Sequence, residues 1–229
     1  MTLQRAAFWA AAIAVPLGIA SDVLYAAAAH FPIDPAAINR FDVLAADPAL
    51  LRWAAFTDFC AFYAPLVPVA LYLRRRLDGR DPLLDVYTIA ALAFAVIGGT
   101  AALVLGAVGP ALAIGAATAG PVAAATYSVV AKTLEDAVYV AIWQTFGAIA
   151  LGIFYIGVGR LLRRERRWLG ALTIFIGADA LVVAVARVAG LEPVAIVTIA
   201  VWLPLLTFWS GWLAFSVLRE GRPDLALTA

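Results

Sequence analysis

Carboxylates inside apolar stretches are the residues of this sequence best suited to chemistry. Asp22, Asp58 and Asp179 each interrupt a run of mostly apolar residues, and Glu135 and Asp136 stand together before another. Placing a charge in a membrane span costs roughly 2.5–3.5 kcal/mol on insertion scales, so such residues mark functional sites by default. Buried carboxylates can act as general acid or base, or couple transport to a proton or an ion. These five residues are therefore the catalytic candidates.

Cationic and aromatic residues provide possible partners for these acids. Arg187 lies near the end of the run that holds Asp179, and Arg52 precedes Asp58 by six positions, too far for a same-face helix pair. Trp202 and Trp209 are seven apart and share a helix face, so they can form the apolar wall of a ligand pocket. The alternative is structural: the arginines neutralise an acid on a neighbouring helix, the tryptophans pack, and Lys132 with Asp136 stabilises a helix end.

Several chemistries have no residues to support them. The chain has one cysteine, Cys60, and one histidine, His30, which leaves no disulfide, no cysteine-ligated metal and no paired-histidine haem or di-metal site. His30 is read as an interfacial residue rather than a ligand. We find no glycine-rich phosphate loop, nucleophile elbow or zinc-binding helix motif. We therefore expect no metal and no cofactor, and we expect the lipid bilayer rather than a nucleic acid as partner.

The elements that must position these residues are membrane-spanning helices. The 229 residues are 65% hydrophobic and 14% charged, with a mean hydropathy of +0.97, far from the composition of a soluble domain. About 20 apolar residues cross a bilayer as a helix, and the alternating strands of a membrane barrel are absent. The sequence predicts one all-α domain, 1–229, in the lipid bilayer. Its six spans are placed at about 6–29, 49–73, 83–108, 138–160, 168–189 and 193–218.

Acid–proline pairs indicate where helices begin. Asp47-Pro48 starts the second span and Asp81-Pro82 the third, since the carboxylate caps free amides and proline fits the first turn. Asp34-Pro35 predicts a short interfacial helix to about Ala46. The first span is too long for a signal peptide, so we expect it to be retained. For 109–128 the sequence leaves the conformation open: it is compatible with a loop that contains either a short interfacial turn or a re-entrant turn.

Prolines inside the spans predict bends. Pro65 and Pro68 remove two backbone donors just after Asp58, and Pro204 does the same in the last span. The freed carbonyls must be satisfied by neighbouring groups or by water in a cavity. For Pro16, a tolerated kink is at least as good an interpretation.

Arginine and lysine counts predict the orientation. With both termini cytoplasmic, twelve of the sixteen basic residues lie inside and four lie outside. Asp22, Asp58, Asp179, Arg187 and the Glu135–Asp136 pair then fall in the outer half of the membrane or at its midplane. This asymmetry predicts a polar pocket that opens outward and is closed toward the cytoplasm.

The segment Leu50-Leu51-Arg52 … Asp58 … Ala70-Leu71-Tyr72 resembles a broad group of six-helix bacterial membrane proteins whose shared domain has no known function. Asn39 upstream and Arg166-Arg167-Trp168-Leu169-Gly170 downstream are also similar, although the spacing from Asn39 is longer here. The resemblance implies a bacterial cytoplasmic membrane protein and a meaningful pairing of Arg52 with Asp58. It implies no activity.

Three hypotheses follow. The first is a six-helix bundle whose outward-facing pocket binds a small or lipophilic molecule, for transport, sensing or as part of a complex. Its ligand-binding residues would be Asp22, Asp58, Asp179, Arg187, Arg52, Trp202 and Trp209. The second is a membrane-embedded acid–base enzyme, of a cyclase or isomerase type, acting on an isoprenoid or lipid. The third is a structural subunit whose charges only pair helices.

Overall fold

The computed structural model describes residues 2–28 and 47–218, and every regular element in these ranges is helical. Within these two ranges, six helices are long and apolar enough to cross a membrane, which agrees with the predicted number of spans. They are α1 (Leu3–Ala28), α2 (Pro48–Arg76), α3 (Leu84–Thr118), α4 (Pro121–Leu162), α5 (Arg167–Val188) and α6 (Glu192–Leu213, followed by a π-helical turn over Ala214–Leu218). The predicted interfacial helix at 35–46 and His30 lie outside the described residues.

The two described acid–proline pairs differ in what they do. The Asp47 carboxylate accepts hydrogen bonds from the backbone N–H groups of Ala49 and Leu50, both at 3.0 Å, and caps α2 as predicted. Capping of this kind stabilises a helix start by about 1 kcal/mol. Asp81 accepts a hydrogen bond from the N–H of Leu83 at 2.8 Å, but α3 begins at Leu84 with Leu83 at its cap position, so the Asp81-Pro82 pair lies in the turn before the helix and does not cap it.

The segment 109–128 is helical, apart from a short break, rather than a loop or a re-entrant turn. α3 continues through Pro110 to Thr118, and α4 starts at Pro121 after Gly120. The run after Pro110 is rich in alanine, which has the highest helix propensity. Gly115 also lacks the Cβ that would lie 2.7 Å from the ring of Tyr127, so α4 can pack closely against α3. Both helices are therefore longer than the spans predicted from hydropathy.

Two helices are wound locally as π-helix. In α2 this segment is Phe59–Tyr63, where the N–H of Ala64 donates to the carbonyl of Phe59 at 3.1 Å before the helix resumes at Leu66. In α4 it is Asp136–Gly147. A proline at position 65 cannot donate a backbone hydrogen bond, which explains the interruption in α2. Short π-helical segments occur frequently at functional sites.

The six helices close into a ring. Each packs against its neighbour in the sequence, and α6 returns to pack against α1. The outer face of the ring is apolar: Ile89, Val96 and Val185 are each about 65% exposed, and Phe208 and Phe215 are also exposed. A soluble protein does not present so much apolar surface to water, so this face is suited to contact with lipid.

Close packing of α4 on α5 depends on small residues. A Cβ at Gly177 would lie 2.8 Å from the backbone nitrogen of Ile156, and one at Gly159 would lie 2.8 Å from that of Ile174. Backbone atoms cannot move aside as a flexible side chain can. The two glycines therefore set the separation of these helices, as small residues do in membrane bundles.

We expect Gly177→Ala to lower the free energy of unfolding by about 1–3 kcal/mol, because overpacking outweighs the gain of about 1 kcal/mol in helix propensity. Gly211→Ala is the matched control, since its Cβ would meet only Val15, at 3.3 Å. Chemical unfolding of the purified protein in detergent measures both. Equal stability of the two variants would contradict the packing argument.

Charged residues join two of the helix connections. Glu165, between α4 and α5, accepts a hydrogen bond from Nη2 of Arg76 at 2.8 Å and pairs with Arg80. Partial burial acts to raise the pKa of Glu165, but the hydrogen bonds from the two arginines outweigh it and hold the pKa below its ordinary value. The network therefore holds the end of α2 and the residues after it against the α4–α5 connection.

This arrangement predicts acid sensitivity. Because the folded-state pKa of Glu165 lies below the unfolded value, its stabilisation is present above the ordinary pKa of 4.5 and is lost as the pH falls through the folded value. We expect Glu165→Gln to lower the free energy of unfolding by roughly 0.5–1 kcal/mol at pH 7. The difference from the wild type should shrink below pH 4.5. Unfolding curves at both pH values test this, and a constant difference would contradict it.

Candidate functional site

A cavity of about 300 Å³ lies inside the ring. Residues from α1, α2, α3, α4 and α6 line it, whereas α5 contributes none of its lining. The lining comprises Asp22, Tyr25, Ala26, Asp58, Phe62, Tyr63, Phe94, Tyr139, Trp143, Gln144, Ile199, Ala200, Trp202, Leu203, Pro204 and Leu206.

Two of the predicted acids meet at this cavity. Asp22 comes from the last third of α1 and Asp58 from the first half of α2. The hydroxyl of Ser21 donates to the carbonyl of Ala54 at 3.4 Å, and this buried contact joins α1 to α2 directly before Asp22 and one turn before Asp58. The sequence identified both residues, and the fold brings them to one site.

Asp58 is half-buried, and one of its carboxyl oxygens lacks a partner. Oδ2 is fully buried and makes no hydrogen bond to any part of the chain that the structure describes. Leaving a buried polar atom unsatisfied costs about 1–3 kcal/mol, more for a charged group. Asp58 therefore does not contribute to stability in the way that a structural ion pair would.

The π-helical segment of α2 controls what lies beside Asp58. In an α-helix, residues five apart point to nearly opposite sides, but the wider π turn brings them much closer in angle. Tyr63 follows Asp58 by five positions across this segment, and its side chain interacts with the Asp58 carboxyl. The winding of α2 thus places a tyrosine next to the acid at the cavity.

Aromatic rings form a continuous wall of the cavity. The Tyr63 ring lies 5.0 Å from that of Phe94, and Tyr139 packs edge-on against Trp143 at 4.8 Å. Trp143 is fixed by a hydrogen bond from its Nε1 to the carbonyl of Gly98 at 3.1 Å. The missing side chain of Gly98 makes room for Tyr63, since a Cβ there would lie 2.6 Å from Cε1 of that ring.

Further polar atoms at the cavity are buried without partners. Tyr139 and Trp202 are 7% and 6% exposed, and the Tyr139 hydroxyl and Trp202 Nε1 form no hydrogen bond within residues 2–28 and 47–218. The hydroxyl of Tyr25 lies near that of Tyr139 but is likewise without a well-formed hydrogen bond in these ranges. These groups can hydrogen-bond a molecule in the cavity, because none of them makes a well-formed hydrogen bond within the described chain.

The cavity is lined by acidic side chains without basic ones among the described residues. Its lining has two carboxyl groups, Asp22 and Asp58, and no lysine, arginine or histidine among the described residues. Arg52, predicted as a partner of Asp58, is exposed on α2 and forms no ion pair with Asp58. The acids thus face aromatic rings rather than a basic side chain.

Asp179 and Arg187 lie elsewhere because both belong to α5. Asp179 is half-buried, and its Oδ2 has no hydrogen-bond partner in the described chain. Arg187 is buried and pairs through Nη1 with Glu192 across the α5–α6 turn. Neither residue lines the cavity, so the structure does not bring the third predicted acid together with the first two.

The remaining predicted residues have local partners. Lys132 pairs with Asp136, one turn further along α4, and its Nζ lies 3.9 Å from buried Glu135. Trp209 packs edge-on against Tyr155 at 4.9 Å, and its Nε1 donates to the hydroxyl of Thr173 at 2.8 Å. These contacts match the structural alternative. Of the two predicted tryptophans, only Trp202 reaches the cavity.

Sequence reasoning did not assign Tyr25, Tyr63, Tyr139, Trp143 or Gln144 to the site. One available signal was the spacing of Tyr139 and Trp143, which places both on one face of a helix. Another was Gln144, an amide in an otherwise apolar stretch. Tyr63 carried no such signal, because its direction depends on the π turn.

No protein-family model, curated protein or solved structure matches this chain. The functional argument therefore depends on the cavity itself.

We expect Asp58→Asn to leave the free energy of unfolding unchanged or to raise it by up to about 1 kcal/mol, because the substitution keeps the shape and Oδ2 has no hydrogen bond to lose. Trp209→Phe is the contrasting variant and should lower it by about 1 kcal/mol through loss of the bond to Thr173. Chemical unfolding in detergent compares them. A loss for Asp58→Asn as large as that for Trp209→Phe would give Asp58 a structural role.

Proposed function

We propose that this chain is a multi-pass protein of the bacterial cytoplasmic membrane whose cavity binds a small or lipophilic molecule from the extracytoplasmic side. Binding of this kind gives the protein a role in transport, in sensing or as a subunit of a membrane complex. The observation that carries the proposal is that Asp22 and Asp58, from different helices, face one cavity with aromatic walls and unengaged polar atoms. Ligand sites in proteins are typically apolar cavities with a few convergent polar groups.

The positions of basic residues support the orientation. Nine arginines lie at the end of α2, in the α2–α3 connection, and where α4 ends and α5 begins: Arg74, Arg75, Arg76, Arg80, Arg160, Arg163, Arg164, Arg166 and Arg167. Only Arg52, Lys132 and Arg187 lie toward the opposite end of the described helices. The positive-inside rule places the arginine-rich end in the cytoplasm, with both termini.

The same placement supports a cavity nearer the extracytoplasmic face. Asp22 lies late in α1, which runs outward, and Ile199 lies within the first third of α6, which runs inward. The cytoplasmic half is instead filled by core residues such as Leu73, Leu162 and Leu169, all at most 1% exposed. The resemblance of segment 50–72 to bacterial six-helix proteins also favours the cytoplasmic membrane.

A membrane-embedded acid–base enzyme is the second candidate. The observation that favours it is that two carboxyl groups share one apolar cavity with the hydroxyls of Tyr25 and Tyr139. Asp22 and Asp58 would then divide the acid and base roles on an isoprenoid or lipid. In that case Asp58→Asn abolishes turnover of bound lipid while binding remains.

Thiol labelling tests from which side of the membrane the cavity is accessible. In a Cys60→Ala background, Ala26→Cys places a thiol in the cavity lining, whereas Ala180→Cys places one in the fully buried core of α5. An uncharged, membrane-impermeant glycosyl methanethiosulfonate is added to intact cells. We expect Ala26→Cys to react rapidly and Ala180→Cys to remain unlabelled.

Two results would contradict this proposal. Labelling of Ala26→Cys only after the membrane is opened would mean that the cavity faces the cytoplasm. Failure to label it on either side, with the variant folded, would mean that the cavity is closed.

A further inference from the structure

A second void adjoins the cavity on the lipid-facing side of the ring. It is a groove of about 610 Å³ between α1 and α6, where the ring closes. Its lining is apolar apart from Asp22 and Thr207, and comprises Val15, Ile19, Asp22, Pro204, Thr207, Phe208, Gly211, Trp212 and Phe215. Ile19, Phe208 and Phe215 are exposed, so the groove opens toward the region that lipid occupies.

Asp22 connects the two spaces. This residue and Pro204 are the residues that line both the cavity and the groove. Asp22 is itself exposed, whereas Asp58 is half-buried further inside the ring. A molecule lying in the groove therefore meets a carboxyl at the point where the groove joins the cavity.

The cavity has the chemistry of a cation site. Its described lining has two carboxyl groups and no basic side chain, and its walls include the rings of Tyr63, Phe94 and Trp143. Aromatic faces attract cations, most strongly ammonium groups excluded from water. An anion would meet two carboxylates here with no compensating charge. The hydroxyl oxygens of Tyr25 and Tyr139 also bring partial negative charge to the cavity, which attracts an ammonium group.

The two spaces differ in size and polarity, so they suit different parts of one ligand, a head and a tail. A volume of 300 Å³ is at the lower limit of small-molecule pockets and suits a head group. The groove is larger and almost wholly apolar, which suits a hydrocarbon chain. Since the two meet at Asp22, one amphiphilic molecule can occupy both.

We propose that the cavity takes the ammonium head of a cationic amphiphile, held between Asp22 and Asp58 and against the aromatic wall, while its alkyl chain lies in the groove between α1 and α6. The ligand then reaches the cavity sideways from the bilayer. This proposal rests on the proposed function, because it names the ligand class of the same cavity.

Binding of two probes of equal chain length provides the test. The full chain is placed in nanodiscs, and equilibrium dialysis measures binding of radiolabelled dodecyltrimethylammonium or uncharged dodecanol, with empty nanodiscs subtracted. We expect one saturable site for the cation, with at least about tenfold tighter binding than for dodecanol.

Three substitutions of identical chemistry locate that site. Asp22→Asn and Asp58→Asn should each weaken binding of the cation at least about tenfold. Asp179→Asn, also a neutralised membrane carboxyl but on α5 and outside the cavity, should leave it unchanged. Because Asp22 and Asp58 lie on different helices, a folding defect in one variant leaves the other as the test.

A fourth substitution locates the tail. Gly211→Leu adds a side chain to the groove. It should weaken binding of dodecyltrimethylammonium about tenfold while leaving that of tetramethylammonium, which lacks the chain, unchanged. Equal losses for both probes would overturn the assignment of the groove to the tail.

Other outcomes separate this proposal from the proposed function. Equal affinity for dodecanol and the cation would overturn the cation assignment while leaving an apolar ligand pocket in place. Equal effects of Asp58→Asn and Asp179→Asn would also overturn it. Absence of saturable binding by either probe would overturn it as well, and would count against the pocket itself only if Ala26→Cys also resisted labelling.

Discussion

A carboxyl group within a membrane span is costly when hydrocarbon surrounds it. This cost determines how the helices around Asp22 and Asp58 are arranged. Asp22 and Asp58 lie in adjacent helices, and no basic side chain among the described lining residues reaches them. An ion pair would have allowed the helices to pack without a space between them. Instead the ring keeps a cavity at the acids, and aromatic residues surround it. The cavity therefore lies where two acids have no basic partner.

Local winding and glycine residues shape the helices around that cavity. The π-helical turn after Asp58 directs Tyr63 toward the acid, and Gly98 on α3 provides the space that its ring needs. The longer π-helical stretch of α4 contains Tyr139 and Trp143, which complete the wall. If the helices were regular and Gly98 had a larger side chain, the ring of helices would have no room for these aromatic residues. The irregular segments therefore belong to the site rather than to the general scaffold.

The number of spans and the start of α2 could be predicted because they depend on local chemistry: apolar length and the pairing of aspartate with proline. Asp22 and Asp58 could be singled out for the same reason. Which acids share a site could not, because these helices are apolar on nearly all sides and their sequence does not indicate which face points inward. Asp179 and Arg187 illustrate this, since they belong to the one helix that does not reach the cavity. The continuation of α3 through Pro110 could not be predicted either, because glycine and proline commonly end a helix, whereas the alanines around them here maintain it.

The π-helical turn at Phe59–Tyr63 also determines where this chain tolerates a change in length. Such a turn holds one residue more than the α-helical turn that it replaces. Loss of a single residue between Asp58 and Tyr63 would restore regular winding and leave the two residues four apart, about 40° apart around the helix axis, so both would still share one face. Loss of a residue from the regularly wound part of α2 would instead rotate everything beyond it by about 100° and turn part of the cavity wall away. Among descendants of this gene, single-residue indels in α2 should therefore be concentrated at the π-helical turn.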